Sequence, residues 1–277
     1  MDASDHPKTN IKRTLDIRPN LGEMVKPAEL VEIKGASRLT LADRKLFNHL
    51  LRNAFGPDLA ESNRRFEIST AELRDTHGGI ERVVQSIEAL MTTVVSIERP
   101  DGSTDRVQLL GWNNLSDPKR DRGVLKYAIP PELAEMLRDS TVFAKLELEV
   151  LRSFTSKYAL ALYENVARRV RLQHVFTARF DLDAFRDLLG VEQGKLETFG
   201  NLNQYAIKPA LLEVNALAEF TVTVVPIKLG RRVTGVLMGW GIKDIEGRKA
   251  VFAELNRPRV GRKARITGTV EDISLEE

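Results

Sequence analysis

Cysteine is absent from this chain of 277 residues, and its four histidines lie far apart in the sequence. Without cysteine the protein has no disulfide, no thiolate zinc site and no thiol nucleophile. The histidines form neither a His-x-His nor a His-x-x-x-His pair, so no metal site is indicated. A Gly-x-x-x-x-Gly-Lys-Ser/Thr phosphate loop is also missing. We therefore expect a protein without a cofactor, a metal ion or an enzymatic activity.

Long apolar stretches are missing as well. No run of about 18 apolar residues could cross a bilayer, and the N-terminal Met1-Asp-Ala-Ser-Asp5 lacks the apolar segment of a secretory signal. We expect no membrane partner and a cytoplasmic location. The chain has 42% hydrophobic and 29% charged residues, over a length that suits two domains of ordinary size.

The net charge of +3 is distributed unevenly. Residues 1–149 carry 22 Lys and Arg against 24 Asp and Glu, whereas residues 150–250 carry 15 against 10. A basic second half indicates a polyanionic partner such as DNA. On charge alone, an ordinary solvated surface is an equally good interpretation.

The first half predicts a helix, a strand, two helices separated by a turn, and a hairpin. Thr40-Leu-Ala-Asp43 resembles a capping box, and a helical apolar stripe follows it. The predicted elements are a helix over 41–54, a strand over 66–68, helices over 69–76 and 79–91, and a hairpin around 100–103. This order is typical of a winged helix-turn-helix.

The same order of elements recurs in the second half. The apolar residues of the first predicted helix, 154–172, are spaced by four and should lie on one face. The elements that follow are a strand over 179–182, a short helix over 183–189, a helix over 199–217, and a hairpin of strands 220–225 and 233–238. Pro209 removes a backbone donor inside helix 199–217, so we expect that helix to be kinked or in two parts.

The repeated order predicts an α+β fold of two tandem winged-helix domains. We divide the chain into a loosely ordered N-terminal arm over 1–35, a first domain over 36–150, a second domain over 151–246, and a C-terminal tail over 247–277 that adds nonspecific DNA affinity.

DNA contacts are expected on the second helix of each helix-turn-helix, which enters the major groove. In the second domain the candidates near the start of helix 199–217 and in the turn before it are Lys195, Asn201, Asn203, Gln204 and Lys208. Amides pair with adenine, and lysine pairs with guanine or phosphate. Ordinary helix capping is the alternative for the amides, and Lys208 is the stronger candidate.

The second hairpin has a basic tip formed by Lys228, Arg231 and Arg232. A wing tip can meet a phosphate backbone or a minor groove. Exposed charge that protects an edge strand is the alternative. Further candidates are Lys157, Arg168 and Arg169 on helix 154–172, and Arg74, Arg82 and Gln85 in the first domain.

The first domain is net acidic, so its grip on DNA should be weaker. The apolar hairpin residues Val95, Ile97, Leu109 and Leu110 could instead form a subunit interface. Cations near the end of a helix, such as Arg168 and Arg169, also have a purely structural explanation, because they complement the helix dipole.

Three segments resemble the iteron-binding plasmid replication initiators, the type 3 Rep family. These are Phe154-Thr-Ser-Lys-Tyr-Ala-Leu-Ala-Leu-Tyr-Glu164, Phe180-Asp-Leu-Asp-Ala-Phe-Arg-Asp-Leu-Leu-Gly190 and Pro209-Ala-Leu-Leu-Glu-Val-Asn215. The resemblance implies two winged-helix domains. It also implies monomers that bind origin repeats (iterons), help to open the origin and recruit a host replication initiator and helicase, and homodimers that repress their own gene.

Two other functions remain open at this stage. A winged-helix transcription regulator would share the fold, because a fold does not determine a function. A nuclease or polymerase-like enzyme would need a metal site, which the sequence does not indicate.

Overall fold

The computed structural model describes residues 12–61, 63–77, 79–98, 101–116, 123–172 and 174–268. The helices in these residues are α1 (Ala28–Val31), α2 (Leu41–Ala54), α3 (Thr70–His77), α4 (Ile80–Thr92), α5 (Pro131–Arg138), α6 (Leu148–Ser153), α7 (Lys157–Arg169), α8 (Leu182–Leu189), α9 (Phe199–Leu202), α10 (Lys208–Leu217), α11 (Ile245–Asn256) and α12 (Arg262–Thr267). The strands are β1 (Glu23–Pro27), β2 (Phe66–Ser69), β3 (Val94–Glu98), β4 (Thr104–Gln108), β5 (Asn113–Leu115), β6 (Val124–Tyr127), β7 (Phe143–Glu147), β8 (Thr177–Asp181), β9 (Phe220–Leu229) and β10 (Arg232–Ile242).

The first winged helix is formed by α2, α3, α4 and the hairpin β3–β4. The predicted capping box starts α2: the Thr40 hydroxyl accepts from the Asp43 amide at 3.2 Å, and the Asp43 carboxylate accepts from the Thr40 amide at 2.7 Å. A sheet of order β2-β6-β5 completes the domain. The predicted order of elements is confirmed.

The second winged helix repeats this layout with α7, α8, the α9–α10 helix and the hairpin β9–β10. Strand β8 joins the hairpin in a sheet of order β8-β10-β9. The Asp181 side chain caps α8, and Gly190 ends it with a left-handed φ of 69°. This half therefore also has the predicted architecture.

Helix 199–217 is continuous but irregular, as Pro209 predicts. A π turn over Asn203–Ile207 separates α9 from α10, and the backbone stays right-handed helical on both sides. Proline has no N–H to donate, and its ring crowds the carbonyl four residues earlier. The wider turn immediately before Pro209 relieves that crowding.

The prediction of a loose arm over 1–35 is wrong for the residues that the structure describes there. Strand β1 pairs antiparallel with β7, and Met24 and Leu30 are buried. Farther upstream, the Thr14 amide donates to the Ser140 carbonyl at 2.6 Å. The five residues of β1 show only weak periodicity in the sequence. The strand is stabilised by hydrogen bonds to β7, about 120 residues away in sequence, so no local signal predicts it. Residues 1–11 lie outside the described part of the chain.

The prediction of a tail over 247–277 is wrong up to residue 268. Asp244 caps α11, whose Val251 is buried, and α11 and α12 pack against α10. Glu254 accepts from Arg262 at 3.1 Å and from Arg265 at 2.8 Å. These ion pairs explain why the basic stretch is ordered. Residues 269–277 lie outside the described part.

Helix α7 is buried on nearly every side, which contradicts the expected single apolar face. It packs against β7, α8 and α10, and so joins the two domains. It begins at Lys157 rather than Phe154, because the Ser156 hydroxyl caps it by accepting from the amides of Tyr158 and Ala159. The small residues and leucines that lie between the apolar positions spaced by four are buried as well.

A buried polar triad ties α7 to the first domain. The Lys26 ammonium on β1 lies 2.8 Å from the Glu164 carboxylate on α7 and 2.9 Å from the Asn48 side-chain oxygen on α2. The Asn48 amide donates to the other Glu164 oxygen at 2.7 Å. Burial lowers the pKa of Lys26, and Glu164 opposes that shift. Each buried charge is therefore compensated within the triad.

A close contact lies where the two domains meet. The Arg44 guanidinium on α2 donates to the Ala36 carbonyl at 3.1 Å and packs against Gly190 at the end of α8. A Cβ atom on Gly190 would lie 2.1 Å from an Arg44 nitrogen. The left-handed backbone conformation therefore favours glycine at position 190, and a larger residue there would also have to displace the Arg44 guanidinium.

We predict that Glu164→Ala lowers the free energy of unfolding by about 3–5 kcal/mol, because it leaves the Lys26 ammonium buried without its counter-charge. The double change Lys26→Met with Glu164→Leu should recover most of that loss. Denaturant unfolding measures both values. A loss below about 1 kcal/mol for the single variant would contradict the role given to the triad.

We predict that Gly190→Ala destabilises the protein more than Gly194→Ala does. Both positions have positive φ, so each alanine costs about 1–2 kcal/mol of backbone strain. Only position 190 adds the clash with Arg44, since a Cβ atom at 194 meets open space. The difference in unfolding free energy should be about 1–3 kcal/mol. Equal losses of unfolding free energy for the two variants would show that the Arg44 side chain moves aside without cost.

Candidate nucleic-acid interface

The turn before the α9–α10 helix is held by Arg186 of α8. Its guanidinium donates to the carbonyl of Lys195 at 3.0 Å and also to that of Glu197. The Thr198 hydroxyl then caps α9 by accepting from the Asn201 amide at 3.2 Å. The second helix of this helix-turn-helix therefore leaves the turn in a defined direction.

The α9–α10 helix has one buried face and one polar exposed face. Leu202, Ala206 and Ala210 are buried. Four predicted contacts lie on the other side or in the turn: Lys195, Asn201, Gln204 and Lys208 are exposed, while Asn203 is half-buried. The structure thus brings the expected major-groove residues together on one surface.

Tyr205 is a candidate contact that the sequence interpretation missed. Its side chain is 58% exposed in the middle of this polar face, beside Gln204. A tyrosine ring there can pack on a sugar or a thymine methyl while its hydroxyl reaches a phosphate. The spacing Asn201, Tyr205, Lys208 is the signal that could have found it, because residues three and four apart share a helix face.

The second wing is long and its tip is basic. Strands β9 and β10 pair from Phe220–Ile242 to Leu229–Arg232, which leaves Gly230 and Arg231 as a two-residue turn. Lys228, Arg231 and Arg232 are exposed, and no carboxylate in the described residues lies within ion-pair distance of them. Leu229 at the tip is 77% exposed. These cations are available to an anionic partner.

Three predicted contacts on α7 have internal partners instead. The Lys157 ammonium donates to the Ser37 carbonyl at 2.7 Å and lies 3.5 Å from Glu192, and burial lowers its pKa. Arg168 and Arg169 both pair with Glu32 of the first domain.

Arg169 is also nearly buried, and its guanidinium donates to the backbone and side-chain oxygens of Asn165 at 2.9 Å. Burial, with Arg168 beside it, lowers its pKa. The charged groups of Lys157, Arg168 and Arg169 therefore make contacts within the protein in this structure, and their assignment to DNA stays a prediction.

In the first domain, α4 presents Arg82 and Gln85 to solvent, opposite its buried residues Val83 and Ile87. Arg74 lies one helix earlier, on α3, and is half-buried. Arg82 and Gln85 are thus exposed on the second helix of the first helix-turn-helix, as Gln204 and Lys208 are on that of the second.

The apolar hairpin residues proposed for a subunit interface lie inside the first domain. Val95, Ile97, Leu109 and Leu110 are all buried, at 8% exposure or less. They belong to the core shared with α4, so they offer no surface to a second subunit.

The described residues contain no group of three His, Asp or Glu side chains placed to hold a metal ion. In the same part of the chain, no helix is long and apolar enough to cross a membrane.

Two helix-turn-helix units, each with a hairpin wing and an exposed polar second helix, define a tandem winged-helix protein. The sequence matches the family descriptions "Initiator Replication protein, WH1" over residues 23–167 and "Initiator Rep protein, WH2" over residues 181–240. The chain therefore belongs to the Rep family of replication initiators.

Two known proteins are similar to it. A replication initiation protein of Escherichia coli is 25% identical over 144 residues, which are 51% of this chain but only 44% of that protein's length. The crystal structure of the Pi initiator protein in complex with iteron DNA aligns with a TM-score of 0.58 at 15% identity, covering 80% of this chain and 98% of that one. The second likeness supports the tandem winged-helix fold.

We predict that changing Arg231 and Arg232 together to alanine weakens DNA binding and reduces the slope of log affinity against log salt by about two, because each phosphate contact releases condensed counterions. Binding measured over a range of KCl concentrations gives the slope. An unchanged slope would remove the wing tip from the interface.

Proposed function

We propose that this protein binds repeated sequences in double-stranded plasmid origin DNA and initiates replication there. The observation that carries the proposal is the pair of exposed polar second helices, α4 and α9–α10, held in one unit by the buried α7. Membership of the initiator family and the similarity to an initiator solved with iteron DNA support it.

In this proposal the second domain makes most of the sequence-specific contacts with DNA. Asn201, Gln204 and Lys208 reach base edges in the major groove, where amides recognise adenine and lysine recognises guanine. The wing tip contacts the flanking phosphates, which set position without carrying sequence information. Lys195 in the turn adds a phosphate contact.

The first domain gives auxiliary contact through Arg82 and Gln85 of α4, with Arg74 at its edge. Its net acidic surface makes that contact weaker than the one made by the second domain. Two unequal readers in one chain suit a repeat that spans more than one turn of the duplex.

The wider role follows from the family. Monomers on the repeats help to open the origin and recruit the host replication initiator and helicase, and homodimers repress the initiator gene and so limit plasmid copy number. DNA association in the cytoplasm is the corresponding location.

We predict that Lys208→Ala weakens binding to the origin repeat by about 1–3 kcal/mol, because it removes a base contact, while binding to a random duplex changes little. Lys249→Ala is the matched control, since Lys249 is an exposed helical lysine on α11 that pairs with Glu246. Titration of both variants on both duplexes gives the values. Equal losses on the two duplexes would make Lys208 a phosphate contact.

Plasmid maintenance tests the initiator role itself. A plasmid that carries only the repeats flanking this gene should replicate when the native chain is supplied, and its copy number should fall with Lys208→Ala. A chain that binds the repeats without supporting replication would be a transcription regulator.

A further inference from the structure

A pocket of about 450 Å³ between the two domains is lined by an unusual number of cations. Lys45 and Arg52 come from α2, Arg152 from α6, and Arg259 from the segment between α11 and α12. Four cations from three separate parts of the sequence thus converge on one opening. Lys45, Arg52 and Arg152 were not among the DNA contacts expected from the sequence, whereas Arg259 lies in the C-terminal stretch that was expected to add nonspecific affinity.

These cations lack the counter-charges that the other cations at the junction have. Arg168 and Arg169 share Glu32, while Arg262 and Arg265 share Glu254.

By contrast, Arg52, Arg152 and Arg259 are exposed, and no carboxylate of the described residues is within ion-pair distance of them. Of the pocket's lining, Glu72 is the acidic residue, and it lies 3.8 Å from His49. The pocket therefore has an excess of positive charge, with four cations against the single carboxylate of Glu72 in its lining.

Lys45 lies at the base of this site, where two backbone carbonyl groups hold its ammonium in position. It donates to the carbonyls of Arg152 at 2.8 Å and Phe154 at 2.7 Å, at the end of α6. An ammonium has three donors, so one remains for a bound anion. Burial, with Arg259 nearby, lowers the pKa of Lys45 to about 8, and an anion in the pocket would oppose that shift.

The pocket lies between the two helix-turn-helix units. Glu72 belongs to α3, the first helix of the unit in the first domain. On the other side, Glu213 of α10 accepts from the Thr155 amide at 2.9 Å, close to where Lys45 contacts the end of α6. A phosphate site here requires the backbone of a duplex that touches both α4 and α9–α10 to pass over this junction.

We propose that this pocket, formed by Lys45, Arg52, Arg152 and Arg259, is a binding site for a backbone phosphate of the bound duplex. The inference rests on the proposed DNA-binding function. Guanidinium groups bind phosphate oxygens in pairs of parallel hydrogen bonds, and an ammonium adds a point charge. The site fastens DNA across the domain junction and is independent of sequence.

The test is the triple variant Arg52→Ala, Arg152→Ala and Arg259→Ala, whose exposed side chains can be removed without opening the core. Affinity for the repeat and for a random duplex should fall by the same factor, on the order of 10²-fold at 0.1 M salt. The slope of log affinity against log salt should decrease by about two to three.

The matched control is the triple variant Arg13→Ala, Arg64→Ala and Lys126→Ala. It removes three exposed charges that already pair with Asp16, Asp58 and Glu67. Its salt slope should stay within error of the native slope. A pocket variant with the slope of this control would overturn the proposal.

A chain truncated after Gly268 tests whether an acidic segment of the protein itself, as well as DNA, binds to the pocket cations. Residues 269–277 include Glu271, Asp272, Glu276 and Glu277, which could compete for the same cations. If this truncation strengthens DNA binding of the native chain but not of the pocket variant, DNA and the acidic segment compete for the same cations, which supports the DNA assignment. If neither the truncation nor the pocket variant changes DNA binding, the DNA assignment is overturned.

The wing variant Arg231→Ala with Arg232→Ala distinguishes failure of the pocket assignment from failure of the proposed DNA-binding function. If it loses affinity and the pocket variant does not, only the pocket assignment fails. If the native chain itself binds neither duplex, the proposed function fails.

Discussion

The contact between Glu164, Lys26 and Asn48 is the constraint on which the arrangement of this protein depends. It joins β1, α2 and α7 at atoms that must align to within hydrogen-bonding distance. A buried ion pair is weak evidence for stability, because desolvation offsets the Coulomb attraction. We infer that its effect here is on geometry: the three aligned contacts favour one register of α7, the helix against which both domains pack.

That central position explains how the cations are used. Lys157, Arg168 and Arg169 lie on a helix that is covered by the first domain, so their charges meet Ser37, Glu192 and Glu32 rather than solvent. In the proposed function the cations that contact DNA are the exposed ones on the polar face of α9–α10 and at the tip of the second wing. The proposed phosphate pocket at the junction adds a third group.

Local signals in the sequence predicted the elements whose cause is local. Thr40 and Asp43 cap α2 as expected, Pro209 coincides with the π turn, and the Gly230-Arg231 turn closes the second hairpin. The polar face of the second recognition helix was predictable for the same reason, since helical spacing places Asn201 and Lys208 on one side.

The features that were missed depend on distant contacts. Strand β1 is stabilised by β7, and α11 and α12 are held by α10 and by Glu254, so neither shows strong periodicity of its own. The spacing by four in α7 predicted one apolar face, but the other faces of the helix are also covered by neighbouring elements. Because of that burial, the α7 cations have partners within the protein, which the sequence pattern did not indicate.

Hydroxyl-radical footprinting of a protein monomer bound to one origin repeat tests the central claim. That claim is that one chain holds two DNA-binding helices, α4 and α9–α10, in a fixed arrangement. The account predicts two protected stretches on the duplex, one assigned to each helix-turn-helix. Changing Arg82 and Gln85 to alanine should remove one stretch and leave the other. A single protected stretch that is unaffected by that change would contradict the account.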